Sequence, residues 1–152
     1  MDDSVKLVLK PQIKQLWLEA LRSGNYAQCP GKLADGRGGH CCLGVLSELA
    51  VQEGVLEKRV EEHTYETLDG ERRTNYTVHY GQYLASNYLP REVAEWAFEE
   101  FDPNSAYWEN PRVNDPRPVN HPLRNGQNTD LANLNDEGLT FHEIADVIER
   151  EL

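Results

Sequence analysis

Long apolar runs are absent from this sequence: no stretch approaches the roughly 20 residues that cross a bilayer as a helix. Its first residues, Met1, Asp2, Asp3 and Ser4, carry neither the basic flank nor the apolar run of a secretory signal. Both absences predict a cytosolic protein with no membrane partner. Cysteine is scarce. The chain has three, and Cys41 and Cys42 are neighbours, a spacing that suits free thiols better than a disulfide framework. No Cys-x-x-Cys or His-x-x-x-His pair occurs, so Cys29, His40, Cys41 and Cys42 are poorly spaced for zinc. Neither a metal nor a cofactor is expected. Positive charge is short too, with 15 Lys and Arg against 26 Asp and Glu and a net charge of −11. Residues 1–50 carry 6 basic and 5 acidic side chains, so the deficit of 12 falls on residues 51–152. Such a field repels phosphate backbones, which argues against groove binding to DNA or RNA. The acidic residues are scattered, as on a solubilising surface; mimicry of nucleic acid is the sharper alternative.

What is present reads as one domain over residues 1–152. Ile13, Leu16, Trp17, Ala20 and Leu21 form one helical face, with Pro11 suited to the first turn and Gly24 to the exit, which predicts a helix over 11–23. Cys42, Val45, Leu46, Leu49 and Ala50 form a second face, closed by Gly54. Between about 55 and 80 the period changes to two around Asp69-Gly70, predicting a β-hairpin with a two-residue turn. That turn sets Glu66 opposite Arg73 and Tyr65 opposite Thr74, with Tyr65, Tyr76, Val78 and Tyr80 on one face. Pro90 opens a third helix carrying Val93, Trp96, Ala97 and Phe101. Thr140 and Glu143 have the spacing of a capping box for a last helix with Phe141, Ile144, Ala145, Ile148 and Leu152 inward. The expected fold is therefore a mostly helical α+β domain, four main helices with a β-hairpin inserted around residues 60–80. Its core is Trp17, Leu21, Leu46, Val93, Trp96, Ile144 and Ile148. Residues 102–129, with five prolines and six asparagines, form a long loop of the kind used as lids and binding loops.

Four places could carry chemistry. Gly36, Arg37, Gly38 and Gly39 form a glycine-rich turn running toward a helix, where exposed N–H groups and an arginine can cradle an anion. The same glycines also suit a plain tight turn, and they match neither a P-loop nor a dinucleotide fingerprint. The long loop gathers Tyr107, Trp108, Asn110, Arg112, Asn114, Arg117, His121 and Arg124. Aromatic faces beside arginines and amides can stack a base and hold phosphates, though a solvated loop whose aromatics plug the core fits equally. Asn135 and Asp136 close a helix end and offer a polar pair. Cys41 or Cys42 at a helix start, with a histidine nearby, has the parts of a cysteine-dependent hydrolase or transferase. Cys42, however, continues the apolar stripe, which predicts burial and no catalytic nucleophile.

The segments Trp17–Gly24, Cys41–Leu46, Leu89–Val93 and Leu134–Asp146 resemble a family of small uncharacterised bacteriophage proteins. They are more distantly similar to an actinobacterial family of unknown function with a comparable Cys-x-Gly helix and closing Asn-Asp segment. The resemblance implies a setting, that of small accessory phage proteins in a host cytosol, which act by blocking a host or defence protein or by sequestering a nucleotide-like signal. The expected function is binding of a small anionic, nucleotide-like ligand through Gly36, Arg37, Gly38, Gly39, Tyr107, Trp108, Arg112, Arg117, Asn135 and Asp136, without catalysis. The cysteine-dependent enzyme and an acidic inhibitor of a host protein are the alternatives. Partners are then a small anion or a host protein, with self-association into a homo-oligomer also open.

Overall fold

A computed structural model describes residues 7–104 and 108–152 of the chain. Helix α1 (Pro11–Arg22) begins with proline at its first position, where no N–H is needed. It buries Ile13, Trp17 and Leu21, while Leu16 at the edge of the predicted stripe stays exposed. The Trp17 indole N–H donates to the Cys42 carbonyl at 2.9 Å, pinning α1 to the start of α2 (Cys42–Gln52). Helix α5 (Phe141–Glu151) opens on a complete capping box: the Thr140 hydroxyl accepts from the Glu143 N–H and the Glu143 carboxylate accepts from the Thr140 N–H. Its inward residues pack on α1 and on the short α4 (Leu131–Asp136). Trp17, Leu21, Leu46, Val93, Ile144 and Ile148 all belong to one buried cluster, and Trp96 is half-buried at its border.

The architecture is not mostly helical. Among the described residues there are five helices and nine strands in several small sheets, 33% helix and 24% strand. Part of the difference lies after Pro90. Helix α3 (Arg91–Ala97) stops four residues short of Phe101 because Phe98 turns extended and, as β7 (Phe98–Glu99), pairs antiparallel with β1 (Val8–Leu9). Phe98 is thereby buried in place of Phe101. More lies in the long loop, where β8 (Arg112–Asn114), midway along, pairs with β9 (Asn128–Asp130) at its close, from Arg112↔Asp130 to Asn114↔Asn128. A parallel pair, β2 (Ala27–Gln28) with β3 (Gly39–His40), closes the loop between α1 and α2.

The hairpin forms where expected, but its register is shifted by one. Strand β4 (Lys58–Glu66) pairs with β5 (Arg72–Tyr80) as Glu66↔Arg72, Tyr65↔Arg73 and Thr64↔Thr74, and β6 (Tyr83–Leu84) adds to β5. The loop holds three residues, Leu68, Asp69 and Gly70: the Gly70 N–H donates to the Thr67 carbonyl, and the Thr67 N–H to the Glu71 carbonyl at 2.8 Å. Gly70 at φ +84° supplies the left-handed residue that this three-residue turn requires. One added loop residue moves Tyr65 to the face opposite Tyr76, Val78 and Tyr80, since neighbours on a strand alternate. Tyr65 is accordingly exposed, while Val78 and Tyr80 are buried.

Helix α2 approaches the backbone of residue 33 so closely that a methyl group at Gly44 would lie 1.8 Å from the Leu33 carbonyl oxygen. Backbone cannot yield as a side-chain tip can. Gly44→Ala should therefore destabilise the protein by about 3 kcal/mol in urea unfolding, the upper range for overpacking. A loss below about 1 kcal/mol would show that α2 and the Leu33 segment are not packed this way.

Candidate functional site

The start of α4 borders a polar hollow. Asp130 caps the helix, accepting from the Asn133 N–H at 2.8 Å and from the Asn133 amide at 3.2 Å. The Asn110 side chain bridges across, donating to Asp130 at 3.0 Å and accepting from the Ala132 N–H. The Leu89 N–H donates to the Glu109 carbonyl, which ties segment 87–89 to segment 108–110. Trp108 is held by its indole N–H on the Pro103 carbonyl at 3.1 Å and by an edge-to-face contact with Phe101, centroids 5.2 Å apart. These walls enclose about 470 Å³, lined by Asn87, Tyr88, Trp108, Asn110, Arg112 and Asn133 with two carboxylates, Glu109 and Asp130.

A second hollow of about 590 Å³ adjoins the first, sharing Arg112 and Asn133, and adds Arg117, Arg124, Asn125, Asn128 and Glu137. Arg117 is a buried wall of this hollow. Its guanidinium grips Asp115 through two bonds of 2.9 and 2.7 Å and reaches Glu137 at 3.0 Å. Those hydrogen bonds hold the Asp115 carboxyl below its usual range and raise the guanidinium above its own. Arg124 donates to the carbonyls of Gly126 and Arg117, so the turn from 115 to 127 is braced by cations. Tyr107, expected beside Trp108, lies outside the described residues.

The other sequence candidates lie elsewhere. In the Gly36–Gly39 turn the N–H groups of Arg37 and Gly39 donate to the Asp35 carboxylate at 2.7 and 2.8 Å, so the chain's own anion fills the cradle. Strand β3 separates this turn from α2, and Gly36 is pressed on Tyr76, where a Cβ would meet a carbon at 2.3 Å. Arg37 reaches the Thr74 carbonyl and stacks over the Tyr76 ring at 5.0 Å. Gly36 and Arg37 thus dock the hairpin, while Gly39 pairs with Ala27 of β2. Asn135 is buried and donates to the Cys29 carbonyl while accepting from Gln28; Asp136 accepts from the Gly31 N–H. This pair fastens the 28–31 turn to α4. Among the described residues neither the turn nor Asn135 and Asp136 line the hollows beside Trp108.

Sequence reasoning missed a buried polar centre. Glu48 Oε1 lies 2.9 Å from His40 Nε2, accepts from the Tyr80 hydroxyl at 2.8 Å and pairs with the Lys58 ammonium. Burial resists the charge, but the three donors prevail and lower the Glu48 carboxyl from its ordinary 4.5 to about 2. With the carboxylate ionised, His40 Nε2 carries the proton, leaving His40 Nδ1 buried without a partner. The signal for this centre was a lone carboxylate on an otherwise apolar helix.

All three thiols are free and buried. Burial pushes Cys41 up to about 12 and Cys42 well above the ordinary thiol value, so thiolate is scarce at neutral pH. Among the described residues no cluster of three or more His, Cys, Asp or Glu could hold a metal, and no helix is long and apolar enough to cross a membrane. Both observations generate tests. Ellman's reagent should label Cys41 and Cys42 only as the protein unfolds, and rapid labelling of native protein would refute their burial. For Glu48, a depressed carboxyl adds stability that is full above 4.5 and is lost as pH falls toward 2. Thermal unfolding should show a wild-type loss on the order of 3 kcal/mol across that window, and a much flatter profile for Glu48→Gln; equal profiles would show that Glu48 is not held this way.

The comparisons with known proteins add a family and no activity. No curated protein and no solved structure matches the chain. A family model described as Domain of unknown function (DUF8296) matches residues 9–152, from β1 through α5, and the chain belongs to that family.

Proposed function

We propose that the protein binds a small anionic, nucleotide-like ligand across the two hollows that meet at Arg112 and Asn133. The observation that carries this reading is the grouping of Tyr88, Trp108 and Arg112 with Asn87, Asn110 and Asn133 around one open space. Two aromatic rings offer stacking faces, the amides offer donors and acceptors for a base edge, and Arg112 sets a guanidinium on the wall of the same space. The adjoining hollow extends this groove toward Arg124, so an elongated ligand has an aromatic end and a basic end. Arg117 shapes the basic end, its charge already committed to Asp115 and Glu137. The ligand-binding role that the sequence suggested for the Gly36–Gly39 turn passes to Arg112 and the asparagines, since Asp35 occupies the turn's donors. A binder of this kind suits a phage accessory protein that sequesters a nucleotide-like signal in a host cell. The cysteine-dependent alternative is weakened by the burial of every thiol.

Calorimetry with nucleoside mono-, di- and triphosphates and cyclic dinucleotides tests the reading. One arginine–phosphate contact contributes about 1.5–3 kcal/mol, so Arg112→Ala should weaken binding by roughly tenfold or more. Trp108→Ala should do the same through lost stacking, worth about 1–3 kcal/mol per base. Arg37→Ala, in the turn that docks the hairpin and lines neither hollow, should leave affinity unchanged. No uptake by the wild type, or wild-type affinity in both groove variants, overturns the proposal.

A further inference from the structure

Strand β4 is nine residues long and forms the edge of its sheet; among the described residues no strand pairs with its outer side. The direction of its backbone groups follows from the turn. The Thr67 N–H donates to the Glu71 carbonyl, so odd-numbered residues of β4 point toward β5 and even-numbered ones point outward, as antiparallel pairs alternate. Bonds at either end of β5 agree: the Gly81 N–H meets the Glu57 carbonyl, and the carbonyls of Val78 and Thr74, opposite Val60 and Thr64, bond away from β4. Lys58, Val60, Glu62, Thr64 and Glu66 therefore present their N–H and C=O groups at the open edge, a template for another strand.

We propose that this edge pairs two copies of the chain, antiparallel, about a two-fold axis at Glu62. A closed two-fold pair keeps facing residues on the same side of the joint sheet, so their numbers must add to an even total. The pairing that uses the whole of Lys58–Glu66 is centred on Glu62, the middle of the strand. It sets Arg59 against Tyr65, Val60 against Thr64, Glu61 against His63 and Lys58 against Glu66. Two of those four pairs join a cation to a carboxylate or an aromatic ring, Glu61 against His63 sets a hydrogen-bond acceptor beside an imidazole, and the fourth joins two β-branched side chains, combinations that stabilise adjacent strands. Shifting by two in either direction shortens the ladder and sets Val60 against Glu62 or Glu66. Arg59 already pairs with Glu61 along one face, and the His63 ring lies 3.7 Å from the same carboxylate, a row that the second copy would extend. Val60, 46% exposed, and Tyr65, 43% exposed, gain cover. Lys58 serves Glu48 as well, so its pair with Glu66 contributes least. Glu62 facing its own copy is the unfavourable contact of this register.

That contact makes the proposal testable at one position in two directions. Sedimentation equilibrium of the full chain should show a monomer–dimer equilibrium. Glu62→Pro removes only an outward N–H, which an edge strand tolerates, and should weaken the dimer at least about tenfold while circular dichroism stays unchanged. Glu62→Thr removes the facing carboxylates and should tighten it. Hydrogen exchange on the wild type gives a readout independent of any variant: amides of Val60, Glu62 and Thr64 should gain protection with protein concentration, while those of Glu61 and His63 are protected throughout. A wild type that stays monomeric at about 1 mM overturns the proposal, as do a Glu62→Pro dimer of undiminished affinity, a Glu62→Thr dimer weaker than wild type, and even-numbered amides that exchange freely in the dimer.

Discussion

One buried carboxylate governs how the sheet is attached to the helices. Helix α2 is apolar on nearly every side, yet Glu48 sits within it, and a carboxylate there must be met by donors or not ionise. The donors come from three separate elements: His40 on β3, Lys58 on β4 and Tyr80 on β5. Satisfying Glu48 thus brings the hairpin base, the 29–40 loop and α2 to one point. The grip is local. In the three-stranded sheet only Val78 and Tyr80 are buried, both near this anchor, and the rest of β4 and β5 extends outward. Arg37 on Thr74 and Tyr76, with Gly36 against Tyr76, braces that extension beyond the base.

Helices were legible where a single periodic stripe met a strong end signal. Pro11 and the pair Thr140 and Glu143 fixed α1 and α5 because capping chemistry is local. For α3 the stop that the sequence offers, Asp102-Pro103, lies five residues past the helix's end. The spacing of Val93, Trp96, Ala97 and Phe101 fits one helix, but Phe98 gains more by pairing with Leu9, a contact some 90 residues away that no local window contains. The short strands were invisible for a related reason: two- and three-residue ladders such as β2 with β3 are made by tertiary closure, not by β-propensity. The hairpin was read at the right place in the wrong register. Asp-Gly suits a two-residue turn, and equally a three-residue turn with glycine at its last position; the side chains on each face depend on which forms.

The candidate hollows gather some of the residues that composition singled out and leave others elsewhere. Trp108 and Arg112 do border a common space, but their company there, Tyr88 and Asn133, comes from segments that carried no motif. Arg117 looked like a free cation because its partners, Asp115 and Glu137, are ordinary acidic residues in the sequence; proximity within the loop and to α4 turns them into its ligands. The glycine-rich turn failed as an anion cradle through its own neighbour. Asp35 precedes it and supplies the carboxylate that an external anion would have to displace.

The strong negative charge of the chain sharpens what a groove at Arg112 must do. Two carboxylates, Glu109 and Asp130, line the same hollow, so Arg112 alone does not make it attractive to a polyanion. Asp130, however, is spent on the cap of α4 and on Asn110, which satisfy both of its oxygens with N–H donors and disperse its charge into the helix start. The field therefore rises from the aromatic end toward the hollow with Arg117 and Arg124, where the arginines outnumber the carboxylates. A ligand with a planar uncharged ring at one end and a compact anion at the other matches that gradient, and a nucleic acid strand, charged along its whole length, does not. The same gradient is compatible with pairing at β4, since none of the residues lining either hollow belongs to that strand. Two copies joined there would each keep a groove, and the concentration dependence of pairing would leave the intrinsic affinity of each groove unchanged.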